Sequence, residues 1–158
     1  MEDSAKAAAD LARDFSLDVE YKFGDLGLDD IIKDDSIQAV AIVLAGQVQV
    51  DMSLKFLKAG KHVIQEKPAC ASTNEAETAL LCYKSCNYFP HQLIWAIAEN
   101  YRFEPAFVEC RKLMNDIGEM MNIQVIFEGS MNISNPYFSS SWRRNFIGVS
   151  FWIWVYTL

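Results

Sequence analysis

The stretch IQAVAIVLAGQVQVDMSLKFLKAGKHVIQ, residues 37–65, decides the fold. It opens on Ile37 to Ala45, a nearly unbroken apolar run that marks a strand covered on both faces, as in parallel sheets. Gln47 to Ala59 then carries Val50, Leu54 and Leu57 on one helical face, and Gly60 sits where a left-handed C-cap is wanted. His62 to Gln65 reads as the next strand. Strand, helix and strand within about thirty residues make a βαβ unit, which is expected to cross over right-handed.

The same grammar continues downstream. Ser72 with Glu75 forms a capping box ahead of Ala76, Ala79, Leu80 and Tyr83, which fall at helical spacing. Leu93 to Ala98, LIWAIA, predicts a further buried strand. Pro105 to Asp116 predicts a helix with proline near its start that presents Phe107, Cys110, Leu113, Met114 and Ile117 inward. Upstream, Ala8, Leu11, Ala12 and Phe15 follow a Ser4 cap at i, i+3, i+4 and i+7 and predict an amphipathic helix. Val19 to Phe23 is a short strand candidate closed by Gly24 and Gly27, and Leu28 to Lys33 makes a short helix.

After Gly118 the pattern changes. Ile123, Val125 and Phe127 alternate with Gln124 and Glu128, as in a sheet with one packed and one wetter face. The class is therefore α/β: an open parallel sheet over residues 1–118, the beginning of a second, β-containing domain over 119–148, and an uncharged aromatic tail at 149–158.

Composition excludes several function classes. A formal charge of -7 and a pI near 4.8 argue against a nucleic-acid surface, which needs clustered Lys and Arg to displace counterions. Cys70, Cys82, Cys86 and Cys110 form no CxxC pair, and neither His62 nor His91 lies at zinc-ligand spacing from them, so no metal site is expected. Reduced, buried thiols suit a reducing compartment, and with no apolar leader visible after Met1 a cytoplasmic location is expected. The longest apolar stretch, Ile147 to Leu158, falls short of the roughly 20 residues that span a bilayer, so no membrane partner is expected.

Open parallel sheets bind ligands at the carboxyl ends of their strands. The residues there are Gly46 and Gln47 after the first buried strand, Glu66, Lys67 and Pro68 after the second, and Glu99, Asn100, Tyr101 and Arg102 after the third. Lys67 is the sharpest candidate, since a positioned ammonium can hydrogen-bond a reacting hydroxyl and favour developing charge. The plainer alternative is a surface lysine paired with Glu66 ahead of a turn proline. Pro68 is a candidate for a cis bond, which tight cleft corners use. Asn100 to Phe103 can equally be a strand end leading into a helix, and Arg143 with Arg144, after Trp142, can bind a phosphate or carboxylate or simply be solvated. A dinucleotide site also wants G-x-G-x-x-G opening a helix, and the glycines at 24, 27, 46, 60, 118, 129 and 148 contain no such set.

The run AGKHVIQEKP (Ala59 to Pro68), followed by AENYRFEPAF (Ala98 to Phe107), resembles the glucose-fructose oxidoreductase, inositol dehydrogenase and MocA family, written Gfo/Idh/MocA. GSMNISNPYFSSSWRRN (Gly129 to Asn145) resembles a subgroup found in plants and fungi, and the likeness covers about Ser4 to Gly148. It implies a Rossmann domain binding NAD or NADP, followed by an open antiparallel sheet that carries the substrate site and often a homodimer contact. By the same resemblance Lys67 is the catalytic lysine beside the nicotinamide and the reacting hydroxyl of a small-molecule sugar, polyol or related hydroxy compound. Ala45 and Gln47 match the loop along the cofactor, Glu66 the residue that meets the nicotinamide ribose, Asn100 and Arg102 the cleft floor, and Trp142 and Arg143 a loop near cofactor and substrate.

Two departures from the family pattern stand out. The sequence given starts after the family's first strand, glycine loop and second strand, and VSFWIWVYTL stands where the family runs into a glycine, an aspartate and a catalytic histidine. The expectation is therefore a fragment of an oxidoreductase, inactive by itself, with a truncated gene model or intron read-through accounting for both ends. A non-catalytic binding or assembly module with the same fold is the alternative.

Overall fold

The computed structural model describes residues 2–85, 93–119, 121, 122 and 124. Helix α1 is Glu2–Asp14, α2 Gly24–Lys33 and α3 Gly46–Lys58. Strands β1 (Ala39–Ile42) and β2 (His62–Gln65) flank α3, and α4 (Thr73–Ser85) leads to β3 (Trp95–Ile97). A 3-10 turn at Asn100–Phe103 then enters α5, Pro105–Leu113. The three strands form one parallel sheet in the order β1-β2-β3.

The helical face of α3 organises the core. Gln49, Val50, Ser53, Phe56 and Leu57 are buried along one side of it, at the spacing of a single helical stripe. Phe56 and Leu57 join Ile42, Val63 and Leu93 in the core cluster, with Leu28, Ile31 and Ile32 of α2 packed against it. The helix stops as the glycine requires: Gly60 has φ +79°, its N–H donates to Leu57 O, and the Lys61 N–H donates to Phe56 O. This pair of bonds is a Schellman cap. Lys61, the next residue, is itself buried and spends its ammonium on Asp34 O and Ile37 O at 2.7 and 3.0 Å.

Register explains why the first strand is shorter than its apolar run. Ala39 to Ile42 face His62 to Gln65 one to one, so the ladder ends where β2 turns into Glu66. Alternation then puts Val40, Ile42, Val63 and Gln65 on the face under α3, and Ala41 and Ile64 on the other. Ile64 is 48% exposed. Among the described residues the sheet is thus covered on one face, not the two expected.

Other local expectations are corrected too. Val19 to Phe23 forms no strand, because none of the described strands pairs with it. Gly24 and Gly27 do not close a turn but lie inside α2: Gly24 opens it at φ +68°, and a Cβ on Gly27 would stand 3.0 Å from Lys22 Cβ. Ser4 lies within α1 and is not its cap, and the more buried stripe there is Ala5, Ala9 and Ala12, with Leu11 and Phe15 exposed. The intended inner face of α5 is also largely open among the described residues, with Leu113 and Ile117 exposed. The alternating Ile123, Val125 and Phe127 lie outside the described residues.

Candidate functional site

Three parallel strands end at one edge, and backbone bonds stitch those ends together. The Glu66 N–H donates to Ile42 O and the Ala98 N–H to Gln65 O, both at 2.8 Å. Glu66 thereby sits across the end of β1, and Ala98 with Glu99 across the end of β2. Ala45 is half-buried and precedes the first turn of α3, with exposed Gln47 one residue inside it. The N-terminus of α3 has no side-chain cap hydrogen bond, and the Val48 N–H donates to Ala45 O at 3.0 Å.

The loop after β2 carries Glu66, Lys67 and Pro68, and the Lys67–Pro68 bond is cis, as expected. Glu66 turns its carboxylate back to accept from the Lys67 backbone N–H. Lys67 is half-buried and closes no ion pair among the described residues.

Beneath this loop lies a polar network that hydrophobic patterning did not find. Gln65 is fully buried; its Oε1 accepts from Ser53 Oγ at 2.8 Å and Trp95 Nε1 at 3.2 Å. Its Nε2 donates to Ala69 O at 2.8 Å, and Gln49 Nε2 donates to Pro68 O at 3.3 Å. Gln49 and Gln65 thus clamp the backbone just after Lys67, with Ser53 and Trp95 holding Gln65 in place. A signal was present in the sequence: Gln49 and Ser53 fall on the apolar stripe of α3, and Gln65 sits in a buried strand, where a polar residue needs a partner.

Glu99, at the end of the third strand as expected, is more buried than that position implied. Burial pushes its carboxyl up from the ordinary range, Lys67 pulls it down, and Glu66 raises it again. Its Oε2 is buried without a hydrogen-bond partner. The expected cleft-floor residues Asn100 and Arg102 follow immediately, both exposed, in the 3-10 turn. Ala45, Gln47, Glu66, Lys67, Asn100 and Arg102 therefore share the carboxyl edge of the sheet, whereas Trp142 and Arg143 lie outside the described residues. No group of three or more His, Cys, Asp or Glu among the described residues could hold a metal, and no described helix is long and apolar enough to cross a membrane.

Cys70, three residues beyond Lys67, reports on this loop. Burial and then Glu75 push its thiol up, so at pH 8 it presents less thiolate than an ordinary cysteine. Iodoacetamide is expected to alkylate Cys70 about tenfold more slowly than exposed Cys110, followed by peptide mass mapping. Equal rates would mean that the loop does not pack as described.

Residues 1–87 match the family model described as "Oxidoreductase family, NAD-binding Rossmann fold", Gfo/Idh/MocA. Dehydrogenase FPY6 of Fusarium mangiferae is 35% identical over 118 residues, which cover 74% of this chain and 33% of that protein. The scyllo-inositol 2-dehydrogenase (NADP(+)) IolW of Bacillus subtilis is 25% identical over 117 residues, 74% of this chain and 31% of the relative. The chain spans about a third of the length of these relatives. Among solved structures, levoglucosan dehydrogenase in complex with NADH and levoglucosan aligns with a TM-score of 0.55 at 28% identity, covering 70% of this chain and 28% of that one. An NAD-binding protein from Listeria innocua shares the fold, with a TM-score of 0.57 at 19% identity over 74% of this chain and 30% of that chain.

Proposed function

Because the chain belongs to the Gfo/Idh/MocA oxidoreductase family, whose Rossmann fold binds NAD, we propose that it carries the lysine-bearing half of a site for hydride transfer between NAD or NADP and a hydroxy compound. The carrying observation is the Glu66–Lys67–Pro68 loop, held at the sheet's carboxyl edge by buried Gln49, Ser53 and Gln65 and half-buried Trp95. Relatives named for scyllo-inositol and levoglucosan support a sugar, polyol or related small-molecule substrate.

The edge fits a nicotinamide group. The N-terminus of α3, beside Ala45 and Gln47, places the positive end of a helix at this edge, and the Lys67 amine is not tied into an ion pair among the described residues. When bound, the cofactor supplies the hydride acceptor or donor. Lys67 Nζ then holds the reacting oxygen by a hydrogen bond and stabilises the charge that develops there. Glu66 borders the ribose side, Asn100 and Arg102 form the cleft floor, and Trp142 and Arg143 belong to a loop near cofactor and substrate in this reading. It includes a substrate domain beginning near Gly118, a homodimer contact through that domain, and a cytoplasmic location.

A second reading rests on a specific observation: these 158 residues contain no G-x-G-x-x-G. An assembly module would keep the sheet without redox chemistry, and fold alone does not separate the two. Cofactor binding does. The purified chain is expected to give no energy transfer from its tryptophans to NADH or NADPH. Joining a first strand, glycine loop and second strand from a family relative ahead of Met1 is expected to bring micromolar cofactor binding. A folded fusion that stays inert would overturn the proposal, and micromolar binding by the chain alone would show that the glycine loop is dispensable.

A further inference from the structure

Behind the lysine loop, between α4 and β3, lies a cavity of about 290 Å³. Its lining is apolar, from the small Ala69, Ala76 and Ala79 to the broader Tyr83, Trp95 and Ile97. The two aromatic rings meet edge to face at 5.7 Å, which fixes that part of the lining. Apolar cavities of about 150 Å³ admit benzene, so the space has room for a ring and a short chain.

The polar groups of the wall decide what else the occupant carries. The Tyr83 hydroxyl donates to Leu93 O, and Trp95 Nε1 donates to Gln65 Oε1. Pro68 O and Ala69 O already accept from Gln49 and Gln65. Ser72 Oγ accepts from the Glu75 N–H, and the backbone N–H groups of Ser72 and Ala76 reach the Cys70 sulfur. Glu99 also lines the space, and its Oε2 is the buried oxygen left without a partner there among the described residues. A buried carboxyl oxygen with no donor is costly, and a donor brought by a ligand would remove that cost.

We propose that this cavity binds a small ring-bearing apolar molecule carrying one hydrogen-bond donor, an amine or an alcohol, directed at Glu99. The site adjoins the carboxyl edge, where Glu99 feels the charges of Lys67 and Glu66, and does not need the cofactor. Amine and alcohol share the donor chemistry; the charged arm of the test tells them apart.

Cys70 lines the cavity and serves as the reporter. Its alkylation by iodoacetamide in the full chain is followed by mass mapping against 2-phenylethylamine, 2-phenylethanol and ethylbenzene, with Cys82 and Cys110 as internal references. Saturable protection of Cys70 is expected from the amine or the alcohol at about millimolar concentration, the affinity within reach of so few atoms. Ethylbenzene is expected to protect at least about tenfold more weakly, which corresponds to one modest hydrogen bond. Glu99→Met should erase that preference. Ala76→Leu should fill the space and abolish protection by all three; if it fails to fold, Leu80→Trp at the half-exposed rim takes its place. Protection by none of the probes, equal protection by ethylbenzene, or a preference that survives Glu99→Met overturns the proposal.

Discussion

Replacing Gln65 with leucine is expected to destabilise the chain by about 3–5 kcal/mol and to free the loop that carries Lys67. Leucine nearly matches glutamine in volume, so a cavity is not the cause. The loss is in partners. Ser53 Oγ and Trp95 Nε1 would lose their acceptor, and Ala69 O its donor, whereas Pro68 O keeps Gln49. Each buried orphan costs about 1–3 kcal/mol, and partial relaxation of the three holds the sum to the lower part of that range. Against a total stability of about 5–15 kcal/mol this is a large fraction.

Two measurements check the Gln65 prediction. Urea unfolding reads the global loss, and faster alkylation of Cys70 reads the loosened loop. The triple variant Gln65→Leu, Ser53→Ala, Trp95→Phe removes donors and acceptor together, and should recover more than half of the loss. A single variant within about 1 kcal/mol of the parent would mean that the network is decorative rather than structural.

The sheet and its helices were legible because they follow hydrophobic period. His62 to Gln65 emerged with the expected bounds, α3 within a residue, and Gly60 at its left-handed cap. What periodicity could not convey was partnership between strands. Val19 to Phe23 has the composition of a strand, but a strand exists only with a neighbour to bond, and none is described for it. The apolar run at Ile37 to Ala45 likewise predicted two covered faces, although a run tells only that cover is wanted. Candidate site residues were legible through the strand-end rule, which needs only the order of strands and loops. Gln65 and Gln49 escaped because their significance lies in contacts with residues distant in sequence, such as Trp95, 30 positions from Gln65.

Lys61 was equally silent in the sequence, where it read as part of a motif rather than as a contact. Lys61→Met is expected to cost about 2 kcal/mol, below the loss at Gln65, and the comparison rests on two opposing effects. The ammonium is buried at 3% exposure and donates to two carbonyls, and hydrogen bonds to a charged group are worth about 1.5–3 kcal/mol each. Methionine keeps the apolar stem but relieves the burial of a charge, which returns part of that loss. Water can also reach the abandoned carbonyls, because Asp34 is exposed and Ile37 only half-buried. The local consequence should outrun the global one: Asp34 caps α2, Ile37 leads into β1, and Lys61 follows α3, so a single side chain fastens three elements at the edge opposite the lysine loop. The His62 amide donates to Gln38 O across that edge at 2.9 Å. Hydrogen exchange at His62 should therefore accelerate by about thirtyfold or more in Lys61→Met, the equivalent of 2 kcal/mol, while cavity-side reporters such as Cys70 alkylation stay unchanged. Unaltered exchange together with an unaltered unfolding midpoint would show that the three elements hold without it.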